Sequence, residues 1–209
     1  MKKYFSFGIL LSLATLTGCV SSNYSYKPPL PMLHIESSIT VNEVKTTVWS
    51  KLVKGIGANF FVINNMDKES GFINVSYSGD PEKYIVGGEL NYEFSNLRGA
   101  RKYNFPATRA NAQYETTING NLCFITRKMD LDGRMNILIS EVDSTHTLVS
   151  VNTRYIITMN LTGTDAMGRN LQPYQETISF NTGQSGKSTG GGEYYSNGEF
   201  ERAILDLVR

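Results

Sequence analysis

Side chains in residues 113–181 alternate between apolar and polar, and this period of two constrains the fold more than any other feature of the chain. The clearest run places seven residues on one face of a strand: Val149, Val151, Thr153, Tyr155, Ile157, Met159 and Leu161. The opposite face is mostly polar, which is typical of an antiparallel sheet that has one face in water. The sequence therefore predicts an antiparallel meander.

Turn residues divide this meander into its strands. The sequences Asp130-Leu131-Asp132-Gly133 and Asp143-Ser144-Thr145-His146 predict two hairpin turns. Before the first turn the alternation places five residues on one face, with Cys123 in the opposite phase beside Ile125: Tyr114, Thr116, Ile118, Leu122 and Phe124. Residues 174–180 form the last predicted strand.

An amphipathic helix is predicted over residues 41–56. Thr40 and Glu43 fit a capping box, and Gly55 and Gly57 supply stop signals. Its apolar stripe has helical spacing and consists of Val41, Val44, Val48, Leu52 and Ile56, widened by Trp49 and Val53. We expect this stripe to be covered by the sheet.

Two more elements complete the predicted fold. Residues 60–63 and 72–77 predict a hairpin directly after the helix. A short helix that Asn197 caps is predicted to close the chain and to bury Phe200, Ile204, Leu207 and Val208. The predicted class is α+β, a mainly antiparallel sheet packed by an N-terminal amphipathic helix and a short C-terminal helix.

The helix and the hairpin after it, with Asp67 and Gly71 in the hairpin turn, resemble a known domain. The pattern is similar to the repeated helix-plus-sheet domains of the small lipoprotein in the outer-membrane β-barrel assembly machinery. This resemblance covers the helix and hairpin alone and implies only a fold, because one fold hosts many functions.

The N-terminal segment has the layout of a secretory signal peptide. Lys2 and Lys3 precede an apolar run over residues 5–16, about half the ~20 residues that a membrane-spanning helix needs. The sequence Leu16-Thr17-Gly18-Cys19 then resembles the lipobox of bacterial lipoproteins. That resemblance implies diacylglycerol on the Cys19 sulfur, cleavage before Cys19 and acylation of the new amino terminus. The alternative interpretation is an ordinary thiol after a signal peptide cut elsewhere.

The position after the cysteine bears on localisation. The lipoprotein resemblance implies that an aspartate there would favour the inner membrane, and this chain has Val20. We therefore expect a lipid-anchored protein of the outer membrane of a Gram-negative cell, on the periplasmic face or at the cell surface. The predicted organisation is a signal peptide over 1–18, a lipidated flexible tether rich in proline over 19–33, and a single domain over 34–209.

Charge and cysteine content exclude two classes of protein. The formal net charge of +1 becomes about −1 when Lys2 and Lys3 leave with the signal peptide, which argues against general nucleic-acid binding. Once Cys19 is lipidated, Cys123 has no partner for a disulfide, so the chain is not a disulfide scaffold. We expect Cys123 to be a buried structural residue.

A basic loop around Pro106 is the one candidate contact site for an anionic partner. It contains Arg98, Arg101, Lys102 and Arg109, and such residues contact phosphate groups of lipids or an acidic protein. The alternative interpretation is a solvated loop.

Three motif-like stretches fail their chemical tests. The Gly-Lys-Ser of residues 183–189 lacks the first glycine of a phosphate-binding loop, since Asn181 holds that position. A calcium loop around Gly133 would need Lys128 and Ile139 as ligands, which a cation and an alkane cannot be. Asp143, Ser144 and His146 lie in one turn and cannot line up as a catalytic triad. The sequence thus predicts no catalytic residue, no cofactor and no metal ion.

Three functional hypotheses remain. The leading one is a non-enzymatic lipoprotein that serves as an interaction or assembly module and docks an envelope protein. The second is a binder of small ligands or glycans whose curved sheet presents tyrosines: Tyr77, Tyr84, Tyr92, Tyr103, Tyr114 and Tyr155. The third is a hydrolase of envelope polymers, which requires polar side chains that converge in a cleft. A closed pocket lined by several of these tyrosines would favour the second hypothesis.

Overall fold

Antiparallel β-sheet dominates the structure, a computed structural model that describes residues 20–209. Strands account for 56% and helical residues for 12%, the latter including two short α-helices, so the predicted α+β class is wrong. The reason is that residues assigned to loops or to a tether also form strands. Cys19 and the signal peptide lie outside the described residues.

Three sheets make up this fold. The largest has the order β11-β10-β9-β4-β3, with β2 added beside β10 and β8 beside β9, while the two smaller sheets are β1-β6-β7 and β12-β13-β5. The strands are β1 (Ser21–Lys27), β2 (Ser38–Val41), β3 (Val62–Asp67), β4 (Phe72–Gly79), β5 (Ile85–Val86), β6 (Glu89–Asn96), β7 (Gly99–Pro106), β8 (Asn111–Ile118), β9 (Asn121–Glu141), β10 (Thr147–Asp165), β11 (Tyr174–Asn181), β12 (Ser185–Lys187) and β13 (Glu193–Ser196).

The long strands β9 and β10 pair with each other from Glu141 and Thr147 to Cys123 and Asp165. Along β10 the inner face is the one that the alternation predicts, because Val149, Val151, Tyr155 and Ile157 are buried. Each long strand also has two successive partners on its far side. Strand β9 pairs first with β8 and then with β4, so the sheet changes partner halfway along.

Helix α1 (Lys45–Gly57) is shorter than the predicted helix over residues 41–56. Thr40 and Val41 belong to β2, where they pair with β10, and Val44 precedes the helix without a side-chain cap. The predicted capping box of Thr40 and Glu43 is therefore wrong, since Thr40 pairs in β2 and the Glu43 carboxylate binds Lys51. The helix still buries Val48, Trp49, Leu52 and Ile56.

The predicted hairpin turn at residues 130–133 is also wrong, because β9 continues through it. Leu131 is fully buried and the alternation is not interrupted. Gly133 is instead the place where helix α2 (Glu199–Leu205) reaches the sheet: a Cβ atom there would lie 2.5 Å from the Phe200 ring. The glycine admits an aromatic ring that packs flat on the strand.

The phase predicted for residues 114–124 is wrong, because a two-residue turn lies between β8 and β9. Asn119 and Gly120 both have positive φ angles, 51° and 76°, as an Asn-Gly hairpin turn requires. This turn pairs Tyr114 with Ile125, so Ile125 shares the inner face with Tyr114. Phe124, predicted to lie inside, is 44% exposed.

Residues 21–27, assigned to a flexible tether by composition, form β1 and pair along their whole length with β6. The folded body therefore begins at Ser21, two positions after Cys19. No helix within residues 20–209 has both the length and the apolar character that crossing a bilayer requires.

Candidate functional site

A cavity of about 490 Å³ opens between the small β1-β6-β7 sheet, the far ends of β9 and β10, and the loop before β13. Five tyrosines line it: Tyr24, Tyr92, Tyr114, Tyr174 and Tyr194. We call this cavity the tyrosine pocket. Leu90, Met159 and Leu161 add apolar surface, and Arg127 is the single cation in its lining. The volume lies within the range of about 300–1,000 Å³ typical of small-molecule sites.

The tyrosine rings are packed on one another. Tyr92 and Tyr114 stack with ring centroids 3.9 Å apart, and Tyr24 lies 5.1 Å from Tyr92 at a tilt. This packing follows from register, because β1 and β6 place Tyr24 directly opposite Tyr92. The rings form a rigid wall that suits an apolar or aromatic molecule.

Four of the tyrosines that line the pocket have a raised pKa. Burial raises the pKa of Tyr24, Tyr92, Tyr114 and Tyr194 above the usual value of 10.0. The positive charge of Arg127 acts in the opposite direction on the pKa of all four groups. The guanidinium and these four tyrosines line the same cavity.

Arg127 is only 2% exposed, which is unusual for a charged side chain. It lies on the inward phase of β9, two residues after Ile125 and two before Met129. Its Nη2 donates to the carbonyl oxygen of Ala107 at 2.5 Å, and its Nη1 donates to that of Arg109 at 3.3 Å. Its other contacts are thioethers: Nη2 to Met129 Sδ at 2.6 Å and Nε to Met159 Sδ at 3.3 Å.

The glycine-rich segment 183–192 is partly ordered into β12 and partly forms one wall of the pocket. Strand β11 holds this wall at Thr189. The Thr189 amide donates to Glu176 Oε1 at 2.6 Å, and the Thr189 hydroxyl shares a hydrogen bond of 2.7 Å with Tyr174. Glu176 and Tyr174 thus mark the mouth of the pocket, while Arg127 lies at its buried end.

Of the six tyrosines predicted as ligand platforms, the structure brings Tyr92 and Tyr114 into the pocket. Tyr77, Tyr84 and Tyr155 pack instead around Phe200 in the core, with ring centroids 5.1, 4.0 and 5.7 Å from it. Tyr103 lies in β7 directly opposite Tyr92 and lines a separate cavity together with Tyr114. Sequence reasoning missed Tyr24, Tyr174, Tyr194 and Arg127. Only Arg127 had a sequence signal, a charge on the inward phase of a strand.

The predicted basic loop is a strand, because Arg101 and Lys102 lie in β7 and Arg98 lies in the turn before it. Three of the four cations are paired with carboxylates. Arg101 binds Glu115 at 2.7 Å, Lys102 binds Glu93 at 2.6 Å and Arg109 binds Glu82 at 2.7 Å. Their charges are thus already balanced, and the ion pairs of residues 20–209 leave only Arg98 of this set unpaired.

A second polar cluster lies in the core, and its side chains form hydrogen bonds with one another. The Glu201 carboxylate accepts hydrogen bonds from Tyr155 at 2.8 Å and from Thr182 at 2.6 Å, and Ser196 donates to the Tyr155 oxygen at 2.6 Å. Glu201 is completely buried in the first turn of α2, where the helix dipole favours a negative charge. This cluster fastens α2 to the sheet and faces no cleft.

The Asp143–His146 turn lies at the surface, and Asp143 forms its hydrogen bonds with residues of the same turn. Hydrogen bonds from the Thr145 backbone amide and from His146 keep the pKa of Asp143 below its usual value. Within residues 20–209 no three histidine, cysteine, aspartate or glutamate side chains meet in a way that could hold a metal ion.

Fold and pocket together define an antiparallel β protein with a tyrosine-lined cavity that ends at a buried arginine. A scan against protein-family models found no match, and searches of the curated proteins and of the solved structures returned none either.

Proposed function

We propose that this protein binds a small, largely apolar molecule in the tyrosine pocket, as a lipid-anchored, non-enzymatic lipoprotein of the bacterial outer membrane. The observation that carries the proposal is the pocket itself. It combines a ligand-sized volume, stacked aromatic walls and few polar groups, which is the usual composition of a small-molecule site. The hypothesis of a ligand-binding lipoprotein therefore takes precedence over that of an interaction module.

Filling the pocket is expected to abolish binding. Leu161 is half-buried on β10 and lines the cavity, so a Leu161→Trp side chain would occupy the space of the ligand. We expect the affinity for 6-phenylhexan-1-ol, a neutral apolar probe, to fall by at least about 10-fold, or 1.4 kcal/mol. Isothermal titration calorimetry of the full chain in nanodiscs, with empty nanodiscs subtracted, measures this.

Leu148→Trp is the matched control. Leu148 is also half-buried and lies on the same strand, but outside the lining of the pocket. This variant should bind the probe as the wild type does. Equal affinity of the wild type and the Leu161→Trp variant for the probe would contradict the proposal.

The lipid anchor rests on the resemblance of residues 16–19 to a lipobox. Radioactive palmitate should label the wild type, and Cys19→Ser should remain unlabelled and leave the membrane fraction, because two or more acyl chains are needed for stable anchoring. Cys123→Ser serves as the control, since Cys123 is buried and the label should be unchanged. Labelling or membrane sedimentation of Cys19→Ser would refute the anchor.

The position of β1 has a consequence for how an anchored protein would lie. Two residues extend at most about 7 Å, so an acylated Cys19 would hold Ser21 close to the bilayer. Tyr24, which lines the pocket, follows three residues later on the same strand. An anchored body would thus present the pocket near the membrane surface, where apolar molecules concentrate.

Protein docking remains a second candidate because one sheet edge is open. Within the described chain β3 pairs only with β4, and on this edge strand Val62 is 60% exposed and Met66 is 52% exposed. An extended segment of a partner is able to add to such an edge. Under this candidate, the lipidated protein purified from membranes would carry an envelope protein in stoichiometric amount.

A further inference from the structure

The buried charge of Arg127 has no counter-ion in the described chain. Its hydrogen-bond partners are two carbonyl oxygens and two thioether sulfurs, and no ion pair joins it to a carboxylate within residues 20–209. An arginine side chain stays protonated in proteins, so it cannot escape the cost of burial by losing its charge. The pocket therefore ends in a fixed positive charge that the protein leaves unbalanced.

The contacts of Arg127 leave room for a stronger acceptor. Thioether sulfur is a weak acceptor, so the N–H groups that face Met129 and Met159 gain little from those contacts. Guanidinium binds carboxylate through two parallel hydrogen bonds, and such charge-assisted bonds are about twice as strong as neutral ones. Of the two thioethers only Met159 lines the pocket, so a carboxylate there would replace this weak partner by a strong one and would neutralise the charge.

The neighbouring groups favour the same occupant. Tyr92, Tyr114 and Tyr194 line the same pocket as Arg127, and a neutral hydroxyl among them adds no negative charge to balance the guanidinium. Glu176, the one carboxylate of the lining, lies at the mouth and accepts the Thr189 amide. The charged residues of the lining are thus negative at the mouth and positive at the buried end, so a bound anionic ligand would place its charged group at the buried end.

We propose that the ligand of the tyrosine pocket is an amphipathic carboxylate whose acid group pairs with Arg127 and whose apolar or aromatic body packs on the tyrosine rings. This inference rests on the proposed ligand-binding function and names the class of its ligand. A single negative charge balances the single cation, whereas a phosphate monoester brings a charge of about −1.5 to −2 at pH 7.

The test compares three probes with the same body: 6-phenylhexanoate, 6-phenylhexan-1-ol and 6-phenylhexyl phosphate. For the wild-type full chain in nanodiscs, calorimetry should give an affinity for the carboxylate at least about 10-fold above that for the alcohol, because hydrogen bonds to charged groups contribute about 1.5–3 kcal/mol. Arg127→Met should lose the preference and bind the carboxylate no more tightly than the alcohol. Arg127→Lys, which keeps the charge but not the fork, should retain part of the preference.

The preference for the carboxylate over the alcohol is also measurable in the wild type alone, so the test does not depend on the folding of Arg127→Met. The affinity for the carboxylate should approach that for the alcohol as the pH falls through about 4–5, where the probe is protonated. The alcohol measured at each pH controls for the protein itself. A preference that persists at low pH would overturn the pairing with Arg127.

The three probes separate failure of this inference from failure of the proposed function. Equal binding of the carboxylate and the alcohol by the wild type would overturn the anionic ligand and leave the apolar pocket in place. Tighter binding of the phosphate than of the carboxylate would overturn the carboxylate class. Failure of the wild type to bind any probe would overturn both proposals.

Discussion

Replacing Phe200 by alanine is expected to lower the free energy of unfolding by about 3–5 kcal/mol. Phe200 is completely buried in the first turn of α2, and its ring stacks on that of Tyr84 with centroids 4.0 Å apart. The same ring contacts Tyr77 and Tyr155, which lie on either side of Gly133 in the sheet. Urea unfolding followed by circular dichroism measures the loss.

The loss should be near the top of that range because the site cannot collapse. The ring covers Gly133, which has no side chain to move into the vacated space. Tyr84 and Tyr155 stack on the ring, and Tyr155 is tied to Glu201 by a hydrogen bond of 2.8 Å. Removal of the ring therefore leaves a cavity, and the cost of such a substitution rises with the volume of the cavity.

Phe60→Ala is the matched control for this prediction. Phe60 belongs to the same aromatic cluster, with its centroid 5.6 Å from Tyr77, but it is 57% exposed. We expect it to cost less than about 1 kcal/mol, as for most surface substitutions. Similar losses for the two variants would mean that Phe200 does not hold α2 on the sheet as described.

The alternation of β10 was predictable because it is local. Val149, Val151, Tyr155 and Ile157 occupy the predicted face, since a period of two in apolar residues already states which side of a strand is buried. The end of β10 extends the same rule into the site. Met159 and Leu161 follow in phase and line the tyrosine pocket.

The continuity of β9 through Gly133 was not predictable from the residues around it. Asp130 to Gly133 has the composition of a turn, and local preference favours one. The Phe200 ring of α2 overrides this preference. It packs on the strand at Gly133, where a side chain would collide with it. Such a requirement comes from tertiary packing, so no window of sequence around Gly133 contains it.

The candidate site was predictable only in part, for the same physical reason. Arg127 is four residues from Cys123, so the alternation places both on one face once the phase of the Asn119-Gly120 turn is known. Tyr24 and Tyr194 carry no such signal. They reach the pocket because β1 pairs with β6 and β13 pairs with β5, and both are pairings between distant parts of the chain.

Alkaline unfolding is expected in a narrow range above pH 10, driven by buried tyrosines. Burial raises the pKa of Tyr114, Tyr155 and Tyr194 above the 10.0 of the unfolded chain, and for Tyr155 the Glu201 carboxylate adds to the effect. The folded state thus holds protons that the unfolded state releases. Stability is fully present below pH 10 and decreases as the pH rises toward the folded pKa values.

The expected slope is about 1.4 kcal/mol per pH unit for each such tyrosine, so three of them remove about 4 kcal/mol per unit. The free energy of unfolding should therefore fall as the pH rises above 10, and the fold should be lost once this fall exceeds the stability of about 5–15 kcal/mol that is typical of domains. Phenolate absorbance should show exposed tyrosines titrating first, and the buried ones should ionise together with the loss of circular dichroism.

Tyr155→Phe lowers stability at neutral pH, since Glu201 and Ser196 lose a partner, yet its pH slope should be shallower by about 1.4 kcal/mol per unit. Ionisation of every tyrosine near pH 10 with the circular dichroism unchanged would show that these phenols are not sealed in the fold, and the neutral hydroxyls around Arg127 would lose their physical basis.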